Sequence, residues 1–88
     1  MASYSVLLKP SVDKDLRPLP RNVAQRILRR IEALAEEPIP LQSVKLTGAE
    51  HLHRIRIGDY RVIFSIDHSA KTVTIQYVRH RKEAYRGR

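Results

Sequence analysis

Between His53 and Ile66 the apolar residues, Ile63 excepted, fall on every second position of two runs separated at Gly58-Asp59. A period of two marks a half-buried strand, and a two-residue break led by glycine suits the first central position of a type II′ hairpin. His53 to Ile57 and Tyr60 to Ile66 are therefore predicted to be short antiparallel strands. So short a turn also fixes register: Ile57 faces Tyr60, Arg56 faces Arg61, Ile55 faces Val62 and Arg54 faces Ile63. One face then collects Ile55, Ile57, Tyr60, Val62, Phe64 and Ile66 and must pack on something apolar. The other collects Arg54, Arg56 and Arg61.

The packing partner lies upstream. Tyr4 to Leu8 is β-prone, Pro10-Ser11 ends it, and Ser11 is placed to cap a short helix carrying Val12, Leu16 and Leu19. Pro18 and Pro20 interrupt that helix, with Pro20 suited to open the next. From about Arg21 to Glu37 the residues Val23, Ala24, Ile27, Leu28, Ile31, Leu34 and Ala35 form a stripe at helical spacing. The arginines and glutamates around the rest of this helix read as a solvated outer face. Pro38 and Pro40 stop it, and residues 38–51 read as a connection with a turn at Lys45-Leu46-Thr47-Gly48. A third strand is expected over Thr72 to Val78, and the tail, Arg79 to Arg88, suits one or two helical turns. The class is α+β: an N-terminal strand and two helices packed on an antiparallel sheet, with a short C-terminal helix.

Eighty-eight residues make one domain, residues 1–88, at the lower end of what a core supports without disulfides or metals. The chain has no cysteine, which removes disulfides, thiolate metal sites and cysteine nucleophiles and fits a cytoplasmic setting. No stretch is long and apolar enough for a membrane span or an export signal. Charge narrows the function. Lys and Arg number 17 against 9 Asp and Glu, a net +8. Residues 1–44 carry net +2 and residues 45–88 net +6, so the attraction for polyanions is concentrated in the half that holds the hairpin.

Position sharpens that attraction. Arg56 and Arg61 are expected as direct cross-strand neighbours, with Arg54 two positions along on the same face. Like charges directly opposite cost stability, and neither Ile63 nor Ser65 brings a carboxylate, while Asp59 sits in the turn. Uncompensated repulsion of this kind is expected at functional sites; long arginines splayed into screened water are the plainer alternative. Guanidinium donors match phosphate oxygens bidentately, so the cluster reads as a phosphate cradle. As an outer-face strand residue, Arg61 is expected to contribute phosphate contacts and little core packing. His51 and His53 have a spacing that two zinc ligands would use, but no third ligand is evident and burial beside Phe64 is the better reading. Asp67, His68 and Ser69 read as a turn, not a triad, because three consecutive loop residues do not converge. No metal and no cofactor are expected.

The segment Leu52-His53-Arg54-Ile55-Arg56-Ile57-Gly58-Asp59-Tyr60-Arg61-Val62-Ile63-Phe64, followed by Val78-Arg79-His80-Arg81-Lys82-Glu83-Ala84-Tyr85-Arg86, resembles the RelE branch of the RelE/ParE superfamily. The resemblance implies a toxin of a type II toxin–antitoxin pair that enters the ribosomal A site and cuts the messenger there, with the RNA 2′-hydroxyl as nucleophile and no metal. It implies as partners the messenger, the ribosome with its 16S rRNA, and a small acidic or amphipathic RelB-like antitoxin. Arg54 and Arg56 would hold the family's two basic strand positions, Arg61 the arginine after the tyrosine, Arg79 or Arg81 the downstream basic position, and Tyr85 the terminal tyrosine. Arg79, Arg81, Lys82 and Arg86 join the strand arginines as RNA contacts. The chain departs from the family at Arg54 and Arg56, where well-known members carry lysine; a lysine can give up its proton and an arginine effectively cannot.

Cleavage through a 2′-hydroxyl needs a proton acceptor, stabilisation of the phosphate oxygens, and a proton donor for the departing 5′-oxygen. Arginines meet the second need, foremost Arg56 and Arg61. For the proton transfers the nearby titratable candidates are His80 and Tyr85, with a solvated loop histidine as the plain reading of His80. Two other functions stay open: ParE-like action on DNA gyrase, and a non-catalytic RNA- or protein-binding module on the same scaffold.

Overall fold

The hairpin forms in the register its turn dictates. A computed structural model of the chain describes residues 3–39, 43–45 and 52–80. In chain order these hold β1 (Ser5–Leu8), α1 (Pro10–Leu16), α2 (Arg21–Ala33), β2 (Val44–Lys45), β3 (Leu52–Ile57), β4 (Tyr60–Asp67) and β5 (Thr72–His80). Strands β3 and β4 pair antiparallel with Ile57 opposite Tyr60, Arg56 opposite Arg61, Ile55 opposite Val62 and Arg54 opposite Ile63. Gly58 has φ +60°, while Asp59 is not among the residues of positive φ. That combination is the II′ geometry, whose twist matches that of the strands it joins.

The sheet order is β1-β5-β4-β3-β2. The chain starts at one edge, crosses through both helices to the other, and returns by an antiparallel meander. It thereby brings β5 beside β1 in parallel, Ser5 to Leu8 against Thr72 to Ile75. The sheet is mixed, not purely antiparallel, because β1 and β5 meet only after that crossing. The two-residue β2 lies within the stretch the sequence reads as connection; it pairs Val44 with Arg54 and Lys45 with His53. Two residues carry no period, so pattern alone does not reveal them.

Both helices lie on the apolar face. Val12 of α1 and Ile27 and Ile31 of α2, with Leu34 just beyond, share one core with Ile55, Ile57, Val62, Phe64, Ile66, Val73, Ile75 and Val78. Helix α1 begins with Pro10 in its first turn and Lys9 as a cap without a side-chain bond. Ser11 is therefore not the cap; its hydroxyl donates to the Gln76 carbonyl at 2.7 Å. Helix α2 ends at Ala33, short of the expected Glu37, and tightens into i→i+3 bonds at Leu34, Ala35 and Glu36. The Ala35 carbonyl accepts the Tyr4 N–H at 2.8 Å, which ties this last turn to the entry of β1. None of the helices among the described residues is long and apolar enough to cross a membrane.

Strand β5 runs two residues beyond its expected end and holds Arg79 and His80 in extended backbone. It carries a bulge: Ile63 pairs with Tyr77, Phe64 pairs with Ile75, and Gln76 is the extra residue. One inserted residue shifts the alternation by one. Val73, Ile75 and Val78 can thus all be buried while Tyr77 and Arg79 take the opposite face. The expected C-terminal helix lies outside the described residues.

Candidate functional site

The bulge completes a row. Arg56 on β3 pairs with Arg61 on β4, and Arg61 pairs with Arg79 on β5, so three guanidinium-bearing residues lie side by side across three strands on the face away from the helices. Directly opposite Cβ atoms in such a ladder are roughly 4.5–5.5 Å apart. Arg54 stands two residues along β3 from Arg56, beside Ile63. The sequence expectation for Arg54, Arg56 and Arg61 concerns this row; of its two downstream choices Arg79 is set in it, and Arg81 lies outside the described residues.

The members of the row differ in surroundings. Arg56 is exposed and Arg54 half-buried. Arg61, at 7 % exposure, is buried. The expectation that it packs little is overturned: as the middle strand's residue it is flanked by β3 on one side and β5 on the other, and both its stem and its Nε are covered. Arg79 is held by a carboxylate from the first helix. Its Nη1 donates to Asp15 Oδ2 at 2.8 Å and to the Val78 carbonyl at 3.0 Å, and its guanidinium carbon lies 4.6 Å from the centroid of the Tyr77 ring.

Asp15 thus supplies a negative charge that reading along the hairpin does not find. It reaches the row because β1 ends opposite Ile75, leaving the edge of β5 to α1 beyond that point. There Ser11 bonds the Gln76 carbonyl and Asp15 Oδ2 accepts the Val78 N–H at 2.9 Å. The signal in the sequence is slight: Asp15 follows Val12 by three residues, next to the apolar stripe of α1. Tyr77 is equally hidden from the sequence, because without the bulge strict alternation turns it toward the helices.

His80 does not join the arginines. It pairs with Tyr60, which pairs with Ile57, in the next row along and on the opposite face. Its ring meets that of Tyr60 edge-on, 5.2 Å between centroids, and lines a cleft of ≈ 260 Å³ with Lys14, Asp15, Pro18 and Leu19. Alternation is the reason, since neighbours on a strand point to opposite faces. Arg81, Lys82, Tyr85 and Arg86 lie outside the described residues.

At the other end of the sheet His53 stacks on Phe64, with 5.7 Å between centroids and 22° between planes, as burial beside Phe64 requires. Burial, with Lys45 and then His68 nearby, holds its imidazole below the ordinary value. Asp67 Oδ1 accepts the Ala70 N–H at 3.0 Å in a turn, and His68 Nδ1 is 2.8 Å from the Tyr4 hydroxyl. Among the described residues no group of three metal-ligating side chains comes together.

Residues 6–85 match the family of the ParE toxin of the type II toxin–antitoxin system, parDE. Toxin RelE of Mycobacterium tuberculosis is 31 % identical over 84 residues, covering 94 % of this chain and 87 % of that protein. Toxin RelE3 of Methanocaldococcus jannaschii is 31 % identical over 84 residues, covering 91 % of this chain and 93 % of that protein. Among solved structures, the archaeal RelE–RelB complex of Pyrococcus horikoshii has a chain that superposes with a TM-score of 0.80 at 35 % identity, over 92 % of this chain and 97 % of that one.

Proposed function

The chain belongs to the ParE toxin family of type II toxin–antitoxin systems as a RelE-type toxin, and from that premise we propose that it is a ribosome-dependent endoribonuclease that cuts messenger RNA in the A site. The observation that carries this reading is the row Arg56–Arg61–Arg79 with Arg54 beside it, on a sheet face that the helices leave uncovered. In the proposed reaction the 2′-hydroxyl oxygen attacks the adjacent phosphorus, the bond to the 5′-oxygen breaks, and a 2′,3′-cyclic phosphate and a 5′-hydroxyl result. Charge gathers on the non-bridging oxygens as the new bond forms. Fixed arginine donors stabilise that charge more than the charge of the ground state, which is what accelerates the step.

Arginine does not supply the base, since it stays protonated at any working pH. We assign proton transfer to Tyr85, on the strength of the family resemblance, and not to His80. The imidazole of His80 packs against Tyr60 across the sheet from the arginines. Ribosome-bound work places the protein in the cytoplasm. A RelB-like antitoxin, acidic or amphipathic, is the expected partner: RelE relatives have been solved as complexes with RelB. Attraction between exposed charges should make that complex weaken as salt rises.

The test is cleavage of a reporter message on programmed ribosomes, with the cut mapped by primer extension. Cuts confined to the A-site codon, and absent from naked message, are the expected result. ParE-like action on gyrase is the second reading, favoured by the name of the matching family. Intact message together with inhibited supercoiling would establish it and reject the nuclease.

A further inference from the structure

Arg79 differs from the other arginines of its row in being held. Asp15 Oδ2 accepts from its Nη1, the same Nη1 reaches the Val78 carbonyl, and the guanidinium lies over Tyr77. A carboxylate bond, a backbone bond and a ring contact together restrain the position of the group. Its Nε and Nη2 donate to nothing among the described residues, and the side chain keeps 39 % of its surface exposed. With Nη1 committed and part of the side chain open to solvent, the rest of the guanidinium keeps donors that two oxygens of one phosphate could use.

Resting on the nuclease reading, we propose that Asp15 is a positioning residue for catalysis: it aims Arg79 at the scissile phosphate and limits the ground-state charge of the row. The two effects have opposite signs. Removing the carboxylate frees a positive charge and strengthens hold on RNA, while the loosened guanidinium loses the geometry the transition state needs. A residue that merely braces the fold would not divide in this way. Asp15 also has a plain bracing duty, since the same oxygen accepts the Val78 N–H. Asp15→Asn separates the duties, because an amide oxygen still accepts that N–H but carries no charge.

The experiment measures single-turnover cleavage on programmed ribosomes and, separately, affinity for a single-stranded RNA oligonucleotide across a salt series. For Asp15→Asn the cleavage rate at saturating toxin is expected to fall about tenfold or more. RNA affinity should be unchanged or up to severalfold tighter, and the slope of log affinity against log salt steeper by as much as about 1. In the Arg79→Ala background, Asp15→Asn should cost nothing further in rate, because the group it aims is gone. Wild-type cleavage by Asp15→Asn would overturn the proposal. So would a parallel fall in rate, affinity and melting temperature, or a loss that persists in the Arg79→Ala background. A wild-type protein that leaves ribosome-bound message intact would overturn the nuclease reading itself, and this proposal with it; that failure is told apart by appearing before any variant is made.

Discussion

Two adjacent rows of the same sheet have opposite chemistry. Ile57, Tyr60 and His80 face the helices, whereas Arg56, Arg61 and Arg79, one residue away on each strand, face outward. The inner row is stabilised by packing and the outer by whatever negative charge reaches it, which in the free protein includes Asp15. The chemical character of a position in this fold is thus a matter of which side of a strand it occupies, more than of distance along the chain. His80 is next to Arg79 in sequence and across the sheet from it in space.

The comparison can be broken first on the buried face. Phe64 is fully buried and central, so Phe64→Ala should cost about 3–5 kcal/mol, most of the stability of a domain this size. Urea unfolding checks this; a change below about 1 kcal/mol would mean the apolar face is not the structural one. On the outer face, Arg61→Ala should lower cleavage about a hundredfold through loss of a charge-assisted contact. Because Arg61 is buried, it should also cost about 1–2 kcal/mol in the same unfolding assay. Full activity would remove the row from the mechanism.

Gly58→Ala sharpens the register. An added Cβ meets only the Arg26 guanidinium at 3.6 Å, ordinary contact, so the cost comes from φ +60° and should be about 1 kcal/mol or slightly more. His80→Gln is expected to change cleavage less than about threefold and leave the pH profile its shape; a flattened profile would return the proton-transfer role to His80. The smallest effect concerns His53, whose pKa is lowered on folding by burial. The unfolded chain then binds the proton more readily, so this contribution is full above the ordinary value of 6.5 and is lost as pH falls below it toward the folded pKa. Melting temperature should drop over that window in the wild type and less in His53→Gln.

What the sequence discloses is what repeats locally. Period two and one glycine-led break suffice for β3, β4 and their register, and the stripe from Val23 to Leu34 suffices for α2. The arginines of β3 and β4 follow from that register. The features that escape are non-local or aperiodic. Two residues of β2 have no period, and parallel pairing of β1 with β5 depends on how the chain closes. Asp15 meets Arg79 across 64 positions. His80 is set apart from the arginines for a different reason: the reference pKa of histidine recommends it for catalysis wherever it stands, whereas alternation decides the face it occupies.

The extra residue at Gln76 also bears on how sequences of this fold are to be compared. Upstream of it on β5 the inward positions are odd-numbered, Val73 and Ile75; downstream they are even, Val78 and His80. A relative lacking one residue there, aligned without a gap, would have every position from Tyr77 onward matched to its neighbour's counterpart, and substitutions on the solvent side would be scored as changes in the core. Deleting Gln76 from this chain would instead remove the bulge and leave the faces as they are, because the pairs Phe64–Ile75, Ile63–Tyr77, Val62–Val78 and Arg61–Arg79 would then follow one another without an extra residue. Gap placement at this single position therefore decides which arginine a comparison credits with chemistry.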